Sequence, residues 1–176
     1  PGRFWKWRMH GGAITLAKRF NQLSFNPDLI LTTDMLNVPL FKSLININCP
    51  INIYFHENQL TYPWSPNDND IQLQRDKHYA FINYSSALVA NHNYFNSNFH
   101  LDSFISGLKT YLTSLPDYRG KENINFIKNK SSVLDLGLDL KKFNQYRFHK
   151  KSHQVPVILW NHRWEHDKNP QDFFKT

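Results

Sequence analysis

The chain has 176 residues, of which 40% are hydrophobic and 20% charged, a composition typical of a globular domain and not of a disordered segment. Its single cysteine, Cys49, excludes a disulfide within the chain, and no apolar run approaches the roughly 20 residues that a membrane span requires. We therefore expect no membrane partner and a reducing compartment, the cytosol, with the nucleus as an open alternative. The chain starts at Pro1 with nothing like a signal peptide, and we expect it to be cut from a longer chain.

The net charge of +7 is unevenly distributed along the chain. Residues 1–25 carry five basic and no acidic groups (+5), residues 26–116 carry four basic and seven acidic groups (−3), and residues 117–151 carry nine and four (+5). Two basic blocks of this kind are typical of a protein that contacts a polyanion such as RNA. A solvated surface that only keeps the protein soluble is the alternative.

Helical and extended patterns alternate along the chain. Apolar spacing predicts helices over residues 13–20, 36–45 and 72–89, and a further helix capped by Ser97 and ended by Gly107. Short apolar runs predict buried strands at residues 29–31, 51–55, 132–134 and 157–160. This alternation predicts the α/β class, a Rossmann-like parallel sheet with helices on both faces. The polar residues 149–154 are predicted to be a linker, so that a first domain covers residues 1–150 and a second one starts within residues 151–176.

A polar cluster follows the strand predicted at residues 51–55. It reads His56-Glu57-Asn58-Gln59, at the edge of a parallel sheet where ligands usually bind. Four polar side chains after a buried strand need water or a partner. The cluster is therefore either a loop that faces a substrate or a hydrogen-bonded turn.

A second polar cluster, residues 161–170, follows the strand predicted at 157–160. Arg163 and Lys168 in this cluster suit a diphosphate, because arginine can form hydrogen bonds to two phosphate oxygens at once and lysine adds a positive point charge. An ion-pair network with Glu165 and Asp167 is the alternative. The same residues contain the zinc-peptidase pattern His162-x-x-Glu165-His166, but a loop after a strand lacks the helical geometry that pattern needs.

Two weaker motifs remain. The Gly11-Gly12 pair is predicted to begin the first helix, where bare backbone N–H groups attract anions, although a lone Gly-Gly pair is more often just a turn. Asp68-x-Asp70 is similar to the metal-holding pair of another sugar-transferase fold, but its surroundings predict an ordinary turn.

Taken in order, these features resemble family 4 glycosyltransferases of the GT-B fold, in which two Rossmann-like domains face each other across a cleft. Longer strings are similar to the tRNA-queuosine α-mannosyltransferase family over essentially the whole chain. These strings are PGRFWKWRM from residue 1, YFHENQL from residue 54, FNS from residue 95, PDYR from residue 116 and the distinctive LWNHRWEHDKNP from residue 159.

This resemblance implies a retaining enzyme that moves mannose from GDP-mannose, a nucleotide sugar, to the queuosine base in the anticodon of tRNA-Asp. It implies that Arg163 and Lys168 hold the departing diphosphate, so that no metal or other cofactor is expected. His56 and Glu57 would line the sugar and acceptor side of the cleft. Further donor or acceptor contacts are expected from the residues Gly11, Gly12, Asn58, Gln59, Asn161 and His162.

The resemblance also bears on domain organisation. It implies that a first strand precedes Pro1, that residues 1–150 form the acceptor-side domain, and that residues 151–176 are only a linker and the start of the nucleotide-sugar-binding domain. The chain alone is therefore expected to be inactive. Two other functions stay open at this point: an RNA-binding module without chemistry, and a zinc hydrolase built on His162 and His166.

Overall fold

The computed structural model describes residues 4–73, 76–146 and 157–175. The chain forms two compact units, one of Pro1–Tyr62 with Pro66–Asp135 and the other of Pro63–Ser65 with Leu136–Thr176. The predicted linker at residues 149–154 and the predicted boundary at residue 150 lie outside the described residues and stay predictions. Within the described residues, no helix is both long and apolar enough to cross a membrane.

The first unit alternates helices and strands, as the sequence predicts. In chain order the elements are α1 (Trp5–Phe20), β1 (Ile30–Thr33), α2 (Val38–Leu44), β2 (Ile51–Phe55), α3 (Asn69–Gln72), α4 (Asp76–Val89), β3 (His92–Phe95), α5 (Asn98–Thr113), α6 (Glu122–Asn129) and β4 (Ser131–Val133). In its described part, the second unit contains two 3₁₀ turns, Leu140–Tyr146 and His166–Lys168, and the short helix α7 (Pro170–Phe173).

The four strands form one parallel sheet in the order β1-β2-β3-β4. The register pairs Thr33 with Tyr54 and Phe55 with Phe95, so β1, β2 and β3 end at the same edge. Parallel neighbours need a crossover connection, and a helix fills each one here. The predicted α/β class with a Rossmann-like sheet flanked by helices is therefore confirmed.

Aromatic packing forms the centre of the hydrophobic core. Phe55 and Phe95 stack with their ring centroids 4.8 Å apart, and the Phe104 ring on α5 lies 5.0 and 5.1 Å from them. All three side chains are fully buried. Burial of a phenylalanine side chain contributes about 1.5–3 kcal/mol, and aromatic pairing adds about 0.5–1.5 kcal/mol. This cluster joins two neighbouring strands to α5 directly below the sheet edge where they end.

The prediction that Gly11-Gly12 begins the first helix is wrong. Helix α1 begins at Trp5, so both glycines lie in its interior and their N–H groups belong to the helical ladder. The helix buries Met9, Ala13 and Ala17, which repeat at four-residue spacing on one face. That packing favours helix through the glycine pair, because tertiary contacts override local propensity.

Helix α5 confirms one predicted boundary and contradicts another. The Ser97 side chain accepts a hydrogen bond from the backbone N–H of His100 (3.2 Å), which confirms Ser97 as the N-cap. Gly107 does not end the helix, which continues to Thr113. A Cβ at position 107 would lie 2.9 Å from Thr61 Cγ2 and 3.1 Å from Leu60 Cβ. The glycine therefore lets α5 approach the loop after β2 closely.

The strand predictions need three corrections. The run at residues 29–31 contributes to β1, but it is not buried, because Leu29 and Leu31 are 49% and 61% exposed. Strand β3 was not predicted, because His92-Asn93-Tyr94-Phe95 has no apolar run. The predicted buried strand at residues 157–160 is not formed: Val157, Ile158 and Leu159 are 77–81% exposed. An apolar run becomes a strand only where a neighbouring strand takes up its backbone hydrogen bonds, and the second unit has no strand in its described part.

The close approach at Gly107 generates a stability prediction. Replacing a helical glycine by alanine normally stabilises a protein by about 0.5–1 kcal/mol. We expect Gly107→Ala to destabilise this chain by about 1–3 kcal/mol, because the new methyl group overpacks against Leu60 and Thr61. Gly12→Ala is the matched control, since its nearest atom would be 3.8 Å away. Urea unfolding of both variants measures the difference; a more stable Gly107→Ala variant contradicts the packing argument.

Candidate functional site

Three polar side chains follow the ends of neighbouring strands at one edge of the sheet. Asp34 comes directly after β1, His56 after β2 and Asn96 after β3. Because these strands are parallel and end in register, the three residues are brought together although they are 22 and 40 positions apart in sequence. This is the edge at which open parallel sheets bind ligands.

Asp34 and His56 form the strongest contact of this edge. Asp34 is fully buried, and its Oδ1 lies 2.5 Å from His56 Nδ1 and accepts a bond from the His56 backbone N–H at 3.2 Å. The hydrogen bond to Asp34 outweighs desolvation and, with the charges of Asp34 and Glu57, raises the pKa of His56 above its ordinary 6.5. The His56 side chain is half exposed. Since Nδ1 is engaged, Nε2 is the ring nitrogen through which His56 can contact a ligand.

Helix α4 positions this pair through the buried amide of Asn83. Asn83 Nδ2 donates to the Asp34 carbonyl (2.8 Å), and Asn83 Oδ1 accepts from the Gln59 N–H (2.7 Å). One side chain therefore holds both the loop after β1 and the loop after β2. One turn further along, Ser86 accepts from the Val38 N–H and donates to the Leu36 carbonyl. Both polar side chains are fully buried, and both bond backbone groups of the loops.

The predicted His56–Gln59 cluster divides into an outer and an inner pair. His56 is exposed and Glu57 is half-buried, so these two can face a substrate. Asn58 is buried, and its Oδ1 accepts from the Leu60 N–H, the Thr61 N–H and the Thr61 hydroxyl. Gln59 is also buried, and neither of its side-chain amide atoms has a hydrogen-bond partner in the described part of the chain. Asn58 and Gln59 thus form the body of the loop rather than its surface, and their predicted ligand contact stays a prediction.

Asn96 completes the edge on the β3 side. Its Nδ2 donates to the His56 carbonyl (3.0 Å), and its Oδ1 lies 3.1 Å from His100 Nδ1. Burial lowers the pKa of His100, which is 8% exposed, so this imidazole is held neutral more readily than His56. The two histidines of the edge therefore differ in charge preference because one lies beside a carboxylate and the other is desolvated.

The second unit carries the predicted phosphate-binding pair. Arg163 Nη1 lies 3.1 Å from Glu165 Oε1, and Lys168 Nζ lies 2.7 Å from Asp167 Oδ2. The hydrogen bond from Lys168 lowers the pKa of Asp167. The structure therefore shows the ion pairs that the sequence offered as the alternative reading, and the diphosphate role of Arg163 and Lys168 stays a prediction.

The other predicted residues of the second unit are exposed. Asn161 and His162 lie in an irregular segment, and the His162 carbonyl accepts from Trp160 Nε1 (3.1 Å). His166 begins a three-residue 3₁₀ turn, so His162 and His166 do not share a helix as the zinc-peptidase pattern requires. In the part of the chain that the structure describes, no group of three or more histidine, cysteine or acidic side chains could hold a metal ion.

The Asp68-x-Asp70 pair anchors helix α1 to the first unit. Asp68 caps α3 and accepts from the Asp70 N–H, and Lys6 Nζ lies 2.8 and 2.6 Å from the two carboxylates. Burial lowers the pKa of Lys6, but its bonds to Asp68 and Asp70 outweigh that effect, so the net shift is upward. Tyr79 also donates to Asp70 (3.2 Å). The pair therefore holds α1 in place; the predicted turn covers only residues 66–67, because Asp68 caps α3 and Asp70 lies within it.

Comparison with known proteins gives the family. The profile of the family described as tRNA-queuosine alpha-mannosyltransferase N-terminal matches residues 1–138. A tRNA-queuosine alpha-mannosyltransferase of Drosophila melanogaster is 31% identical over 183 aligned positions, covering 97% of this chain. The chain belongs to the tRNA-queuosine α-mannosyltransferase family. It spans about half the length, 46%, of that relative, and no solved structure matches it.

The residues matched by the family profile include those of the sheet edge. Asp34, His56 and Asn96 all lie within the 138 residues matched by the profile of the tRNA-queuosine α-mannosyltransferase family, whereas Arg163 and Lys168 lie beyond them. Sequence reasoning selected His56 but missed Asp34, because a lone aspartate after a strand looks like a turn residue. One signal could have found Asp34. It is a single acidic residue directly after a predicted strand, when another predicted strand is followed directly by a histidine.

We predict that Asp34→Asn lowers the pKa of His56 towards 6.5, because the amide removes the charge while keeping the shape of the side chain. An NMR titration of the imidazole, assigned with His56→Gln, measures the midpoint. Glu57→Gln is the matched control: its charge is the smallest of the contributions that raise the His56 pKa, so we expect a smaller decrease. Equal midpoints in the wild type and Asp34→Asn would contradict the pairing.

The same pairing predicts a pH dependence of stability. The folded pKa of His56 is raised, so its contribution to folding is fully present below pH 6.5 and is lost as pH rises through the folded pKa. As pH rises from 6.5 through the folded pKa of His56, the wild type should therefore lose this stabilisation, and Asp34→Asn should not. Thermal unfolding at a series of pH values provides the measurement.

Proposed function

We propose that the protein transfers mannose from GDP-mannose to the queuosine base in the anticodon of tRNA-Asp, with retention of the donor's configuration. Membership of the tRNA-queuosine α-mannosyltransferase family supports a glycosyltransferase that modifies tRNA. The Asp34–His56 pair at the carboxyl edge of the sheet is the observation that supports assigning this activity to a particular site.

In this proposal, His56 and Glu57 line the sugar and acceptor side of the cleft. Asp34 holds the imidazole at Nδ1, which leaves Nε2 to donate a hydrogen bond to a sugar or acceptor oxygen. The raised pKa of His56 favours the doubly protonated ring, in which Nε2 is a donor. Such a donor fixed before the substrate arrives costs no reorganisation during the reaction.

The departing diphosphate gains negative charge in an oxocarbenium-like transition state. We propose that Arg163 and Lys168 take up this charge without a metal ion. Both cations are paired with carboxylates here, so a diphosphate would replace Glu165 and Asp167 as their partner. A diphosphate carries more negative charge than one carboxylate and, like a carboxylate, can accept two parallel hydrogen bonds from the guanidinium group.

A transfer assay tests the proposed function. The protein at the full length of its relatives is incubated with labelled GDP-mannose or UDP-galactose and with tRNA that carries or lacks queuosine. We expect label only from GDP-mannose and only on queuosine-bearing tRNA, with no loss of activity in EDTA. Binding of tRNA without transfer of either sugar would instead support an RNA-binding module without chemistry.

We predict that Arg163→Ala and Lys168→Ala each lower the turnover of that full-length protein by about 10²–10³-fold. This corresponds to about 2.7–4 kcal/mol, as for the loss of one donor to a developing oxyanion. Lys175→Ala is the matched control, because Lys175 is another lysine of the second unit in an ion pair, with Asp172 at 3.3 Å. Turnover of either variant within twofold of wild type would remove that residue from the mechanism.

A further inference from the structure

A groove of about 510 Å³ lies between α1 and the segment that follows β1, within the first unit. Its lining includes Trp7, Arg8 and Arg19 from the helix and Thr33 and Met35 from either side of Asp34. The groove therefore opens beside the sheet edge that carries the Asp34–His56 pair. Two arginines and no acidic side chain line it among the residues that the structure describes.

The indole of Trp7 forms an aromatic surface in this groove. A Cβ at Gly11 would lie 3.1 Å from both Cε2 and Cζ2 of Trp7, so the ring lies against the helix backbone one turn further along. The tryptophan is nevertheless 71% exposed. Gly11 thus gives the indole room to lie close to the helix, whereas a Cβ at Gly12 would meet only Arg8 Cβ, at 3.8 Å.

The charge of α1 adds to this surface. The helix carries Lys6, Arg8, Lys18 and Arg19 and no acidic residue. Lys6 is paired with Asp68 and Asp70. Arg8 and Arg19 are cations of this helix that line the groove. An exposed aromatic ring beside arginines is the combination that binds single-stranded nucleic acid, because bases stack on the ring and phosphates pair with the cations.

We propose that this groove binds one nucleotide of an unpaired RNA segment, with its base stacked on Trp7 and its phosphate held by Arg8 or Arg19. The inference rests on the proposed function, since a tRNA substrate presents its anticodon loop as unpaired bases. It goes beyond that function by assigning a contact to nucleotides other than the modified base. Two arginines favour a phosphate-bearing ligand over a neutral sugar or an apolar peptide.

The test measures how this chain binds a labelled hairpin RNA with an anticodon loop, by fluorescence anisotropy. We expect Trp7→Ala to weaken binding about tenfold, as for the loss of one stacked base, and Trp7→Phe to restore part of it. Gly11→Ala should weaken binding by less, because its Cβ would displace the indole by only a few tenths of an ångström. Gly12→Ala also removes a helical glycine but leaves the indole in place, so we expect a smaller loss than for Gly11→Ala. Phe81→Ala, which removes a half-exposed aromatic ring on α4, should bind like wild type.

The arginines are tested through the salt dependence of the same binding. We expect Arg8→Ala or Arg19→Ala to reduce the slope of log K against log salt by about one, the signature of one lost phosphate contact. Circular dichroism confirms that each variant is folded. Equal effects of Gly11→Ala and Gly12→Ala, or wild-type RNA binding by Trp7→Ala, would overturn the proposal. A change in the oligomeric state of Trp7→Ala with unchanged RNA binding would also overturn the proposal, since that outcome marks a contact between proteins.

Transfer assays on the full-length protein separate this inference from the proposed function. If both hold, Trp7→Ala raises KM for tRNA about tenfold and leaves KM for GDP-mannose unchanged. Unchanged KM for tRNA with normal mannose transfer refutes the groove and leaves the proposed function standing. Trp7-dependent RNA binding without any sugar transfer refutes the proposed function and supports the groove.

Discussion

The amide of Asn83 is the contact on which the geometry of the sheet edge depends. It bonds the Asp34 carbonyl with its nitrogen and the Gln59 N–H with its oxygen, and it is fully buried in α4. Each of these backbone groups would cost about 1–3 kcal/mol if it were left buried and unpaired. Because both loops are held by one side chain, the residues that follow β1 and β2 keep a fixed separation, and Asp34 and His56 meet at 2.5 Å.

The buried carboxylate of Asp34 determines the chemistry of this edge. A buried charge needs a partner, and His56 supplies it with both its ring and its backbone N–H. In return, the aspartate fixes the orientation of the imidazole and raises its pKa. For His100, burial outweighs the charge of Asp34, so its pKa is lowered. One fold thus gives two histidines opposite charge preferences within a small region, as sites of acid–base chemistry often do.

In the first unit, the residues that provide rigid packing are different from the exposed residues that can contact a ligand. The phenylalanine cluster below the edge and the close approach at Gly107 hold the loop after β2, whereas the His56 ring and the Trp7 indole face outward. Helix α1, which carries Trp7, is tied down separately by Lys6 and its two aspartates. Supporting contacts of this kind keep exposed groups in a productive arrangement without using the groups themselves. In the second unit, Arg163 and Lys168 are held by neighbouring carboxylates of their own segment.

The sequence by itself determined those features that depend on neighbouring residues. Strand β2 and the Ser97 cap follow from an apolar run and from a serine before a helix, and both are present. Strand β3 and the helical Gly107 could not be predicted, because each depends on a partner distant in the chain: a neighbouring strand, or the side chains of Leu60 and Thr61. The helix through Gly11 likewise depends on tertiary packing of the face that carries Met9, Ala13 and Ala17. Asp34 acquires its role in the same way. Only the parallel register places it beside His56, and only burial converts a common turn residue into a charge that needs that histidine.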